Sequence, residues 1–72
     1  MKNTNEVYDD VVNYDAIDNY TIKIFKNRKG EFYAHVVYED DETSEMIYQS
    51  AKFSGCNLAK QDAMKHIEEI KK

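Results

Sequence analysis

Proline is missing from this 72-residue chain, cysteine occurs once and glycine twice. The lack of proline leaves helix and strand equally open. A single thiol, Cys56, cannot close an intramolecular bridge, so the chain reads as one made for a reducing, cytoplasmic setting. Two glycines, both in turn contexts, exclude a glycine-rich phosphate loop. No apolar run approaches 18 residues, so no transmembrane helix is expected. The opening MKNTN is polar with no apolar stretch behind it, and no secretory signal is expected either. His35 and His66 are far apart, and no His or Cys stands at ligand spacing, so neither a metal nor another cofactor is expected. Catalysis by paired carboxylates needs a cleft that one small sheet rarely makes, and the chain reads as a non-enzyme.

Carboxylates are plentiful, and they come in blocks. The net charge of -4 divides into -4 over residues 1–20, +3 over 21–37, -5 over 38–50 and +2 over 51–72. An acidic balance is the opposite of a nucleic-acid footprint, where affinity comes from neutralising phosphates. It favours a partner with a positive surface. The densest block is YEDDETSE at 38–45, with Glu39, Asp40, Asp41, Glu42 and Glu45. Asp9, Asp10, Asp15 and Asp18 form the other. A charge run of this kind also serves solubility alone.

Residues 1–72 read as one small α+β domain, with 1–5 as a flexible start. YTIKIFK at 20–26 alternates, as does EFYAHVVYE at 31–39, with Phe32, Ala34, Val36 and Tyr38 on one face. Between them Asn27-Arg28-Lys29-Gly30 is a hairpin turn closed by its glycine. A third alternating run, MIYQSAKF at 46–53, divides into Ile47, Gln49, Ala51 and Phe53 against Met46, Tyr48 and Ser50. Together the three predict an antiparallel meander. Ala59, Ala63, Ile67 and Ile70 then recur at helical spacing, which predicts a helix over about 58–71 with Asn57 as its cap. Its two small alanines would let it lie close to the sheet. Asp62 and His66 stand four apart on it, within reach of each other. Asn3-Thr4-Asn5-Glu6 has the form of a capping box, and Val7, Val11 and Tyr14 follow at helical spacing. A short helix over roughly 5–16 is therefore expected, against the alternative of an edge strand about Val11 to Tyr14. The order is α-β-β-β-α, one three-stranded sheet with the C-terminal helix on one face. Tyr33, His35 and Val37 would project from the other face as a contact patch.

That layout resembles the double-stranded-RNA-binding domain, as does the helix opening GCNLAKQDAMK with its Ala59-Lys60 pair. The resemblance implies duplex binding through the first hairpin and the helix start, using Lys26, Arg28, Lys29, Lys52 and Lys60. In size and composition, short, acidic and rich in Asn, Lys, Asp, Ile and Tyr, the chain also resembles the small inhibitors of host defence that phages and mobile elements encode, the anti-CRISPR type among them. This second resemblance implies that the two acidic blocks meet a positively charged nucleic-acid channel of a host protein. Carboxylates on one strand face recur about every 6.8 Å, on the order of the phosphate spacing they would imitate. The interleaved Tyr8, Tyr14, Tyr20, Tyr38 and Tyr48 suit an interface. A small interaction or dimerisation domain is the third reading.

Overall fold

The computed structural model describes residues 9–71. They form four strands, β1 (Asp10–Ile17), β2 (Tyr20–Lys26), β3 (Phe32–Glu39) and β4 (Ser44–Gln49), followed by one helix, α1 (Cys56–Ile70). Each strand pairs antiparallel with the next, in the spatial order β1-β2-β3-β4. The α+β class and the C-terminal helix stand as expected; the strand number and the N-terminal helix do not.

The helix expected over 5–16 is replaced, across its described part, by β1. Its capping box and Val7 lie outside the described residues. Val11, Val12, Tyr14 and Ile17 are β-branched or aromatic and suit a pleated surface better than a helix. What decides the matter is a two-residue turn, Asp18-Asn19, that returns the chain directly into β2, setting Ile17 opposite Tyr20. Asp18 takes the left-handed conformation (φ 55°) such a hairpin requires, one that aspartate tolerates better than most residues. β1 therefore wins by pairing, a tertiary gain that helical spacing does not report. The alternative edge strand about Val11 to Tyr14 forms, and it is longer than expected.

The meander turns where its residues dictate. At Gly30 φ is +82°, and the side chain of Asn27 accepts the amides of Lys29 and Glu31, both at 2.9 Å. In the third alternating run, the strand ends at Gln49 and not at Phe53. The register slips between Val36 and Val37, so that Tyr48 faces Val36 while Met46 faces Val37. The extra residue, Ile47, is a bulge, and it mixes the two rows read from the sequence. Tyr48 and Ser50 turn toward the helix, whereas Gln49 and Ala51 are exposed. The ladder resumes at Phe53, whose N–H and C=O both bond Phe32 (2.7 and 2.8 Å).

Helix α1 packs across β2 and β3. Ala59 and Ala63 are fully buried there with Ile67, beneath Ile22, Ile24, Ala34 and Val36. The small side chains bring the helix backbone close to the sheet, as their spacing predicted. Ile70 does not continue the stripe and is 42% exposed. The helix also starts earlier than Asn57: Gly55 is its cap, with the Ala59 amide bonding the Gly55 carbonyl. No helix among the described residues is long and apolar enough to cross a membrane.

Candidate binding surfaces at the two ends of the sheet

Because all the strands run antiparallel in sequence order, alternate turns gather at opposite ends of the sheet. The β1–β2 turn and the β3–β4 hairpin lie at one end, tied by the Glu39 amide to the Asn19 carbonyl (2.9 Å). This end carries Asp18, Glu39, Asp40, Asp41, Glu42 and Glu45, all exposed. Lys71, at the end of α1, pairs with Asp18 and is held above the usual lysine range by it.

The acidic hairpin is ordered from within. One oxygen of Asp40 accepts the amides of Glu42 (2.9 Å) and Thr43 (2.8 Å), and the other accepts the Tyr38 hydroxyl (3.2 Å). The Asp40 amide in turn donates to the Thr43 carbonyl. Those two amides hold the Asp40 carboxyl below its ordinary value. Ser44 donates to the Glu39 carboxylate at 3.3 Å. The carboxylates of Asp40, Asp41 and Glu42 thus radiate from a turn and do not line one strand face at the regular spacing that the sequence suggested. Asp40 is the brace, and Asp41, Glu42 and Glu45 are the displayed charges.

The second acidic block does not join them as a unit. Asp18 does. Asp15 sits on the helix side of β1, paired with Lys60 at 3.3 Å, which lowers its pKa together with the Ala16 amide. Asp10 lies opposite Lys26, and Asp9 accepts the Tyr33 hydroxyl at 2.5 Å. Both belong to the far end of the sheet, six residues of β3 away from Glu39, roughly 20 Å at strand rise.

That far end is the basic one. Lys26, Arg28, Lys29 and Lys52 gather around the β2–β3 hairpin, interspersed with Asp9, Asp10 and Glu31. A cavity of about 260 Å³ is lined there by Asp9, Asn27, Arg28, Lys29, Glu31 and Lys52. Lys60 stands apart from this group on α1, engaged by Asp15. The four-strand order, with no helix before the sheet among the described residues, also departs from the layout behind the double-stranded-RNA resemblance.

Among the described residues, no element packs on the side of the sheet away from α1. Tyr33, His35 and Val37 project onto it, as the alternation predicted, because Ala34 and Val36 between them are buried. The register adds residues that single-strand patterns did not pick out. Phe25 stacks on Tyr33 (ring centroids 5.3 Å, planes 13° apart) and lies 4.6 Å from the His35 ring. Burial lowers the His35 pKa, as does nearby Lys23. Burial and then the Asp9 hydrogen bond push the Tyr33 phenol up to about 12. Tyr14 and Met46 flank this group on the two edge strands, 63% and 51% exposed.

On the helix side, Asp62 and His66 both turn to Tyr48, not to each other. Asp62 accepts the Tyr48 hydroxyl at 2.5 Å, and the His66 ring stacks on the phenol at 3.9 Å. With Lys65 and Glu69 they line a cavity of about 230 Å³. Among the described residues no three His, Cys, Asp or Glu side chains converge as a metal site. No family model matches the chain, and no curated protein or solved structure does.

Proposed function

We propose that the protein is a non-enzymatic inhibitor of the kind phages and mobile elements carry, acting inside the host cell. Its acidic end occupies the basic, nucleic-acid-binding surface of a host protein, a nuclease of the CRISPR type being the model case. The observation that carries this reading is the gathering of six carboxylates at one end of the sheet, from two turns linked through Glu39 and Asn19, with Lys71 as the cation described among them. Asp41, Glu42 and Glu45 make the principal contacts, with Glu39 and Asp18 at their margin. Asp40 sets the shape of the hairpin that presents them. Paired surfaces of opposite sign speed encounter and reject wrong partners more than they raise affinity. The partner's own specificity for nucleic acid supplies the positive field that draws the tip in.

The test immobilises the chain and passes a host lysate over it, beside a variant carrying Asp41→Ser, Glu42→Ser and Glu45→Ser. The wild type should retain a nucleic-acid-binding protein that the variant does not. Retention should fall with added salt, since exposed charges are screened beyond about 8–10 Å at physiological ionic strength. Addition of the chain should then displace nucleic acid from that protein. Equal retention by the two forms ends the charge argument.

The grouping of Lys26, Arg28, Lys29 and Lys52 at the opposite end favours a second reading, a nucleic-acid-binding module. A gel-shift titration with duplex RNA and duplex DNA at low salt separates the two. Binding that disappears in an Arg28→Glu, Lys29→Glu variant and persists in the acidic-tip variant would select the second.

A further inference from the structure

We propose that the open face of the sheet is a dimer interface, covered by a second copy of this chain lying antiparallel to the first. The domain is a slab of 43 × 30 × 16 Å with its helix on one side only. Its fully buried core is seven residues, three of them alanine. A chain this small often supplements such a core, and association is one of the means.

The face is built unlike the rest of the molecule. The chain carries 14 acids, yet between Asp9 at one rim and Glu39 at the other the register projects no carboxylate onto this side. What it projects is an aromatic cluster of Phe25, Tyr33 and His35, flanked by exposed Tyr14 and Met46, with Lys23 as its central cation. Depletion of acids around an aromatic centre is the composition of an interface core.

The ring geometry argues against nucleic acid as the occupant. Phe25 and Tyr33 present their faces to each other, and the Lys52 ammonium lies 6.0 Å from the Tyr33 ring. Base stacking needs a free ring face, and the mutual stacking of Phe25 and Tyr33 occupies one face of each. A second copy has two further points in its favour. It is always present, and it would cover the exposed Tyr14 and Met46. Its charge distribution also fits. With the strands of the two copies antiparallel, the basic β2–β3 hairpin of each meets the acidic β3–β4 hairpin of the other. A parallel arrangement would set six carboxylates against six. A standard interface takes about 800 Å² from each partner, which is about two thirds of one 43 × 30 Å side. The acidic hairpin takes part in both contacts, and substitutions at Tyr14 and Met46, which leave its carboxylates in place, separate this inference from the function proposed above.

Sedimentation equilibrium of the full chain, from about 1 µM to about 1 mM, tests it over the range where an interface of this size shows itself. The expected result is a concentration-dependent species of twice the 8.5 kDa chain mass. Tyr14→Lys and Met46→Lys sit on β1 and β4, at opposite edges of the sheet. Each should raise the dissociation constant at least about tenfold, as burying a new charge at an interface does. Leu58→Lys, on the exposed side of α1, should leave it unchanged. Circular dichroism of each variant confirms the fold. An edge-to-edge pairing would respond to one of the two face variants and not to both, and that result overturns the proposal. So does a dimer that tightens in the Arg28→Glu, Lys29→Glu variant, which contradicts the antiparallel alignment. A monomer at every concentration also overturns it and assigns the face to another occupant, whether residues 1–8, a foreign protein or nucleic acid.

Discussion

Replacing Ser50 by alanine removes a single oxygen from a site that is 5% exposed, and the structure fixes what that oxygen does. The hydroxyl accepts the Ala34 amide at 2.8 Å and donates to the Ala51 carbonyl at 2.8 Å. The Ser50 amide meanwhile bonds the Ala34 carbonyl at 2.9 Å. The side chain therefore continues the β3–β4 ladder beyond the end of β4, satisfying the amide of a fully buried residue. Without the hydroxyl, the Ala34 N–H is orphaned, at a cost of about 1–3 kcal/mol. The Ala51 carbonyl belongs to an exposed residue and recovers a bond from water, so it adds little. Small domains are stable by roughly 0.05–0.15 kcal/mol per residue, which makes that loss a large share of the whole. In urea, followed by circular dichroism, the midpoint should fall with the slope unchanged. The melting temperature should drop by about 4 °C or more. Ser54→Ala, an exposed neighbour, should stay within about 0.5 kcal/mol. A Ser50→Ala variant within that same margin would refute the idea that the hydroxyl completes the ladder.

Three further outcomes follow from the same geometry. Ala63→Leu should destabilise by about 1–3 kcal/mol in the same urea assay, because the fully buried Ala63 faces the sheet without room for added carbons. Asp40→Ala should speed amide exchange at Glu42 and Thr43, whereas Asp41→Ala should not. Because the folded pKa of Asp40 is lowered, the wild-type brace should hold above the ordinary value of 3.8 and loosen as pH falls through the lowered one. Tyr33 should titrate at about 12 in an ultraviolet titration, a step that Tyr33→Phe removes. Its raised pKa means that the associated stability is complete below pH 10 and lost as pH rises from there toward 12.

The parts of this fold legible in the sequence are those where one local period decides. Ile22 and Ile24 in β2, Ala34 and Val36 in β3, and Ala59, Ala63 and Ile67 in α1 could be placed inside from spacing alone, and all seven are buried. What escaped depends on pairing. The three-residue spacing of Val11 and Tyr14 reads as helical; in β1 a register shift between Val11 and Asn13 sets both against one row of β2, Phe25 and Lys23, and the Asp18-Asn19 turn brings that strand alongside. The bulge at Ile47 is likewise set by β3, so the alternation of Met46 to Phe53 could not reveal that Tyr48 and Ser50 turn inward. For the candidate site, composition identified the acidic hairpin but could not tell brace from display. An aspartate followed two and three residues later by the turn amides it caps is a local signal, and it could have marked Asp40. The separation of Asp9 and Asp10 from Asp18 could not be read without knowing that β1 runs the length of the sheet between them. The partnership of Phe25 with Tyr33 and His35 needed the β2–β3 register.

The most direct test of the binding account exchanges the two ends of the molecule. Once a captured host protein is in hand, its affinity is measured for the wild type, for Asp41→Ser with Glu42→Ser and Glu45→Ser, and for Arg28→Ser with Lys29→Ser. The account predicts that the first variant loses salt-sensitive affinity while the second keeps it. Loss confined to the Arg28 and Lys29 variant would place binding at the opposite end of the sheet and contradict it.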